Sequence, residues 1–149
     1  MRRLLLLLWP LACALAAPAA SPLEQFARVE VPVAKTSIYL GSVSLTMPTF
    51  VRHDDVYEST YAAKVFPYFF ANESGRLVIQ VSDAQLGQLE AGQPIDFTGR
   101  AVRADGSERR VEGRATPAGA TGGKLKVRVF VTAKIELIFN TTYRFAAKS

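Results

Sequence analysis

An unbroken two-residue alternation near the C-terminus constrains this chain more than any other feature. In KLKVRVFV, 124–131, Leu125, Val127, Val129 and Val131 share one face, while Lys124, Lys126 and Arg128 share the other, with Phe130 the exception. In KIELIFNTTYRF, 134–145, Ile135, Leu137, Phe139, Tyr143 and Phe145 fall on one side and Lys134, Glu136, Asn140 and Arg144 on the opposite side. Successive side chains of a strand point to opposite faces, so this pattern marks strands with one buried face and one in water. The parity holds from Leu125 to Phe145. It allows one long bent strand, or two strands joined by about three residues around Thr132–Lys134.

The same rule reads upstream. ARVEVPV, 27–33, groups Val29, Val31 and Val33, and Pro32 suits an edge because it has no N–H for a ladder. SIYLGSVSLTM, 37–47, offers Tyr39, Val43, Leu45 and Met47 as one strand. RLVIQV, 76–81, groups Leu77, Ile79 and Val81; PIDFTGRAV, 94–102, groups Ile95, Phe97 and Ala101; ERRVEGRA, 108–115, groups Val111 and Ala115. Ala104–Ser107 is turn chemistry, and TPAGATGG, 116–123, reads as a small-residue loop. One segment breaks the period. SDAQLGQLEAG, 82–92, places Ser82 as N-cap with Gln85 three residues on, and Gly92 as a stop, which predicts a short helix near 83–90 carrying Leu86 and Leu89.

Seven or eight short strands and one small helix make an all-β domain. A single antiparallel β-sandwich is the first reading, and a small closed β-barrel the second, because periodicity reports a strand's face and not its neighbours.

The leader MRRLLLLLWPLACALAAPAASP has a basic start, an apolar run from Leu4 to Leu15 interrupted by Pro10, and A-x-A-like sites at Ala14–Ala16 and Ala17–Ala19. That is the layout of a secretory signal peptide over 1–19, leaving a single β domain over 20–149 and placing it in the periplasm or secreted space. A minor alternative is a lipid anchor on Cys13, the only cysteine. After cleavage the chain has no thiol, hence no disulfide or thiolate metal site, and no later segment suits a transmembrane helix. Asn72–Ser74 and Asn140–Thr142 match the glycosylation triplet, which matters only in a eukaryotic secretory route.

The stretch VFPYFFANESGR, 65–76, raises the sharpest question about function. Tyr57, Tyr61 and Val65 share a face. Continuing their parity sends Phe69 inward and Phe66, Tyr68 and Phe70 outward, though Pro67 interrupts regular pairing. A large bare aromatic patch is uncommon on a soluble monomer. The first reading is therefore a satellite core beneath the 83–90 helix, and the second an exposed surface that stacks on a partner.

Charge is divided unevenly. Residues 21–99 hold five basic and nine acidic side chains, whereas 100–149 hold eleven basic and four acidic. A basic strand face carrying Arg100, Arg110, Arg114, Lys124, Lys126 and Arg128 suits an anionic glycan, lipid headgroups or another envelope protein. Nucleic acid is not expected, because the basic region lacks interleaved surface aromatics.

Catalytic signals are sparse. His53, the only histidine, sits in FVRHDDVYE beside Asp54 and Asp55 and reads as a polar turn. No G-x-S-x-G elbow, P-loop or G-x-G-x-x-G occurs, and neither metal nor cofactor is expected. The expectation is an exported, non-catalytic binding or structural domain with contacts through Phe66, Tyr68, Phe70 and the basic face. One alternative is a carrier holding a lipid or isoprenoid tail in an internal apolar cavity. A second is a hydrolase using His53 or a pair of carboxylates.

Overall fold

The computed structural model describes residues 24–146; the leader and Cys13 lie outside the described residues. Ten antiparallel strands follow in order: β1 (Arg28–Glu30), β2 (Ala34–Ile38), β3 (Gly41–Thr46), β4 (Phe50–His53), β5 (Val56–Phe66), β6 (Glu73–Gln80), β7 (Ile95–Arg103), β8 (Glu108–Pro117), β9 (Gly122–Phe130) and β10 (Glu136–Phe145). Helix α1 (Asp83–Glu90) joins β6 to β7.

Eight of these strands close a ring. Each of β4 through β10 pairs with its neighbour in the order β4, β5, β6, β7, β8, β9, β10, and β1 pairs with both β10 and β4. The fold is therefore an up-and-down barrel rather than a sandwich. The β2–β3 hairpin continues the wall. Strand β3 takes residues 62–66 of β5, on the edge where β4 takes residues 56–58, and β2 lies against β10.

The strand count exceeds the sequence reading because the 37–47 stretch divides at Tyr39–Leu40 and because residues 50–53, not read as a strand, form β4. Pro32 separates β1 from β2, and Pro48 separates β3 from β4, each a residue with no N–H to donate to a ladder. Pro32 thus marks a break rather than an edge, and it leaves Val33 exposed rather than grouped with Val29 and Val31. The 37–47 stretch is a hairpin, not one strand. Ile38 pairs with Gly41, so Tyr39 and Leu40 form its tip and Tyr39 is 98% exposed instead of inward. Gly41 is required there, because a Cβ would lie 1.9 Å from the Phe66 carbonyl oxygen.

Inward side chains form rows set by register. Phe97, Gly113, Val127 and Phe139 stand side by side across four strands, and a Cβ on Gly113 would lie 2.1 Å from the Phe97 ring. A neighbouring row runs Tyr57, Ile79, Gly99, Val111, Val129 and Leu137. The alternation read from 124–145 therefore holds, with a five-residue connection at 131–135 between β9 and β10. Ile135 lies in that connection and is exposed, contrary to its place in the pattern. The small-residue loop is also shorter than read, since β8 runs to Pro117 and β9 starts at Gly122.

One end of the barrel is plugged. Leu86 and Leu89 of α1 are buried there, together with Phe26, whose ring meets Phe145 edge-on at 4.8 Å. The predicted capping box is present. The Ser82 hydroxyl accepts from the Gln85 N–H at 3.2 Å, and the Gln85 side chain accepts from the Ser82 N–H at 3.0 Å. Arg52 clamps the helix start, donating to Asp83 Oδ1 at 2.8 Å and to the Val81 carbonyl at 3.1 Å. Ser82→Ala removes one cap acceptor and is expected to cost about 1 kcal/mol, read as a lower urea midpoint with an unchanged m-value.

Candidate functional site

The opposite end is open, and four connections meet there: Tyr39–Leu40, Pro67–Asn72, Ala104–Ser107 and 131–135. Antiparallel alternation alone brings them together, since each follows a strand running away from the plug. Tyr39, Leu40, Phe66, Phe69, Phe70 and Ile135 are all exposed on this rim, with Phe70 at 89%. Phe66 and Phe69 meet edge-on at 5.9 Å, as do Tyr68 and Phe70.

This placement corrects the satellite-core reading. Helix α1 packs against the start of β7 and the end of β8, at the far end of the barrel, and covers none of these rings. Phe69 is exposed rather than inward. Strand β5 stops at Phe66, and a 3-10 turn over Phe69–Ala71 breaks the parity that placed it. Phe66 and Phe70 point outward as expected, and Tyr68 is half-buried.

Inside the rim lies a cavity of about 180 Å3, walled by apolar side chains such as Val43, Val65, Leu137 and Phe139. Its polar lining is one cluster. Arg109 makes a two-pronged contact with Glu73, Nε to Oε1 at 3.0 Å and Nη2 to Oε2 at 2.8 Å, and its Nη1 donates to the Val131 carbonyl at 2.8 Å. The Tyr61 hydroxyl donates to Glu73 Oε1 at 3.1 Å. Burial on its own raises the Glu73 carboxyl, but the hydrogen bonds and charge of Arg109, with help from Tyr61 and Arg103, outweigh it and hold the group below its ordinary value. Burial and then Glu73 push Tyr61 up to about 12. Deeper in, a second space of about 110 Å3 is lined almost wholly by apolar side chains, and Leu45, Leu77, Val129 and Phe139 border both.

The six basic residues of the strand face all sit on the outer wall of β7–β9. Four are matched by acids: Arg100 by Glu108, Arg110 by Glu112, Arg114 by Asp96 at 2.9 Å and Arg128 by Glu136 at 2.7 Å. Lys124 and Lys126 have no ion pair among the described residues and lie toward the plugged end, away from the rim. Arg114, Lys126 and Arg128 border an open groove of about 750 Å3 that also carries Asp55, Asp96 and Glu112. Rim and basic wall are two surfaces. His53 is exposed as the last residue of β4, beside the turn where Asp54 has φ +54°, again at the plugged end.

Sequence reasoning missed Arg109, Glu73, Tyr39, Leu40 and Ile135 as members of this end. A signal existed for Arg109, which shares the parity of inward Val111. Comparison with family models, with curated proteins and with solved structures finds no match for this chain, so the site stands on its own geometry.

Proposed function

We propose that this chain is an exported, non-catalytic binding domain that docks on an anionic lipid surface through its open rim. The observation that carries the reading is the gathering of six exposed apolar side chains at one end, five from three connections and Phe66 from the end of β5. A closed barrel offers no free strand edge around most of its wall, so contact there falls to side chains rather than to backbone pairing. A mixture of Phe, Leu and Ile with Tyr suits an interface that is apolar on one side and wet on the other.

Charge at the rim supports the choice of lipid. Among the described residues, the acids of this end, Glu73, Asp105, Glu108 and Glu136, each pair with an arginine. Lys64 and Lys134 are exposed there and have no such pair among the described residues. What remains free is positive, worth about 1 kcal/mol per lysine near an anionic surface.

Phe66→Ser with Phe70→Ser is expected to weaken binding to phosphatidylcholine vesicles containing phosphatidylglycerol at least tenfold, measured by co-sedimentation. The thermal midpoint should barely change, because both rings are already in water. Lys64→Glu with Lys134→Glu should remove the preference for anionic over purely zwitterionic vesicles. Wild-type protein that binds neither vesicle, or rim variants that bind as tightly as wild type, would overturn the proposal.

A further inference from the structure

We infer that the rim-end cavity is a binding site for a small uncharged amphiphile, an alkyl chain of about six to eight carbons ending in a hydroxyl or carbonyl oxygen. This deepens the reading of the rim as a lipid-facing surface and rests on it for the route of entry. The cavity itself is a separate feature of the fold.

Three observations support it. The first is size. An apolar cavity of about 150 Å3 accommodates benzene. The rim-end space is about 180 Å3, and a further 110 Å3 lies behind the side chains of Leu77 and Phe139. That is room for one short chain and too little for a two-chain lipid or a long isoprenoid tail.

The second is the character of the walls. They are apolar except at one point, and small-molecule sites combine an apolar body with a few placed polar groups. An eight-stranded barrel is the size at which the interior is either filled by side chains or holds one small ligand.

The third is the hydrogen-bonding capacity of the polar cluster. A guanidinium has five N–H donors. Arg109 commits Nε and one hydrogen on Nη2 to Glu73, and one hydrogen on Nη1 to Val131. Two N–H donors remain. The Tyr61 hydroxyl donates its hydrogen bond to Glu73 and keeps a lone pair free to accept. The cluster can therefore hold an oxygen acceptor, and a hydroxyl head can also donate. Its charge is already matched. A carboxylate head would meet Glu73 and an ammonium head would meet Arg109, so an uncharged head is favoured over either.

The test is calorimetric titration of the protein with a series of 1-alkanols. Each buried methylene should tighten binding about fourfold until the chain fills the cavity, after which affinity levels off. Octanoate and octylamine should bind at least tenfold more weakly than 1-octanol. Ala63→Leu, which fills the cavity from β5, should abolish binding, and Ala71→Leu serves the same purpose from the rim turn if the first variant does not fold. Tyr61→Phe should weaken alcohols severalfold and leave hexane binding unchanged.

No binding of any alkanol by wild type, affinity independent of chain length, or full binding by a folded cavity-filled variant would overturn the inference. The two proposals fail separately. Phe66→Ser with Phe70→Ser should lose vesicles and keep 1-octanol, and the cavity-filled variants should keep vesicles and lose 1-octanol.

Discussion

Replacing Phe139 with alanine is expected to destabilise the protein by about 3–5 kcal/mol and to lengthen the alkyl chain it accepts. Phe139 is 2% exposed and stands in the row with Phe97, Gly113 and Val127. It borders both internal spaces, so its ring is part of the partition between them. Removing it forfeits the transfer energy of the ring and leaves a void that the ladder-bonded wall cannot collapse to fill. For a domain of this size the loss corresponds to a fall in Tm of about 10–20 °C. The same truncation merges the two spaces, so the alkanol at which affinity levels off should be longer in the variant than in wild type. Differential scanning calorimetry with and without decanol reads both effects. A variant that loses stability without any change in the chain-length limit would mean that Phe139 does not divide the interior.

Arg109→Met is the second large effect, at about 3 kcal/mol near neutral pH. The Arg109 and Glu73 side chains are only 16% and 22% exposed, so the variant leaves a carboxylate mostly out of water with Tyr61 as its remaining partner. The pH dependence gives the direction. In wild type the Glu73 carboxyl is held below its unfolded value, so its contribution is present above about pH 4.3 and is lost as pH falls through the lower folded pKa. In the variant, burial acts without the guanidinium and pushes the folded pKa up. The deficit is then greatest above that pKa and shrinks on acidification, as the neutral acid becomes tolerable. Urea titrations from pH 7 down to pH 4 should show the two proteins converging. A constant gap over that range would mean that the loss comes from the packing of the arginine stem.

Much of this architecture was legible because burial on one face writes itself into alternate residues. Strands β9 and β10 and the Ser82–Gln85 cap could be read directly, since each depends on residues within a few positions of one another. Closure could not be read, because parity shows which way Val127 points and not which strand lies beside it. The turn at Tyr39–Leu40 was hidden for a different reason. It lacks the usual turn residues, and the glycine it needs comes after it, at Gly41, to let the chain pass the Phe66 carbonyl.

The candidate site was half legible. Phe66 and Phe70 stood out by parity, but Tyr39 and Ile135 reach the same rim only through the ring order. Arg109 carried an inward parity that its charge argued against, and the carboxylate that makes it tolerable lies 36 positions away.

The ring order also bears on how the chain finds its shape. Every ladder of the ring but two joins strands that are neighbours along the chain, and of those two the β1–β4 ladder spans only the β2–β3 hairpin. The long-range one is the seam between β1 and β10, where Val29 faces Phe145, Glu30 faces Arg144, and the Ala146 N–H reaches the Arg28 carbonyl. Glu30 and Arg144 form an ion pair across 114 positions. Local zippering can assemble the rest of the wall step by step, while the seam alone must recruit the two most distant segments, so the entropy of circularisation is concentrated in its few rungs.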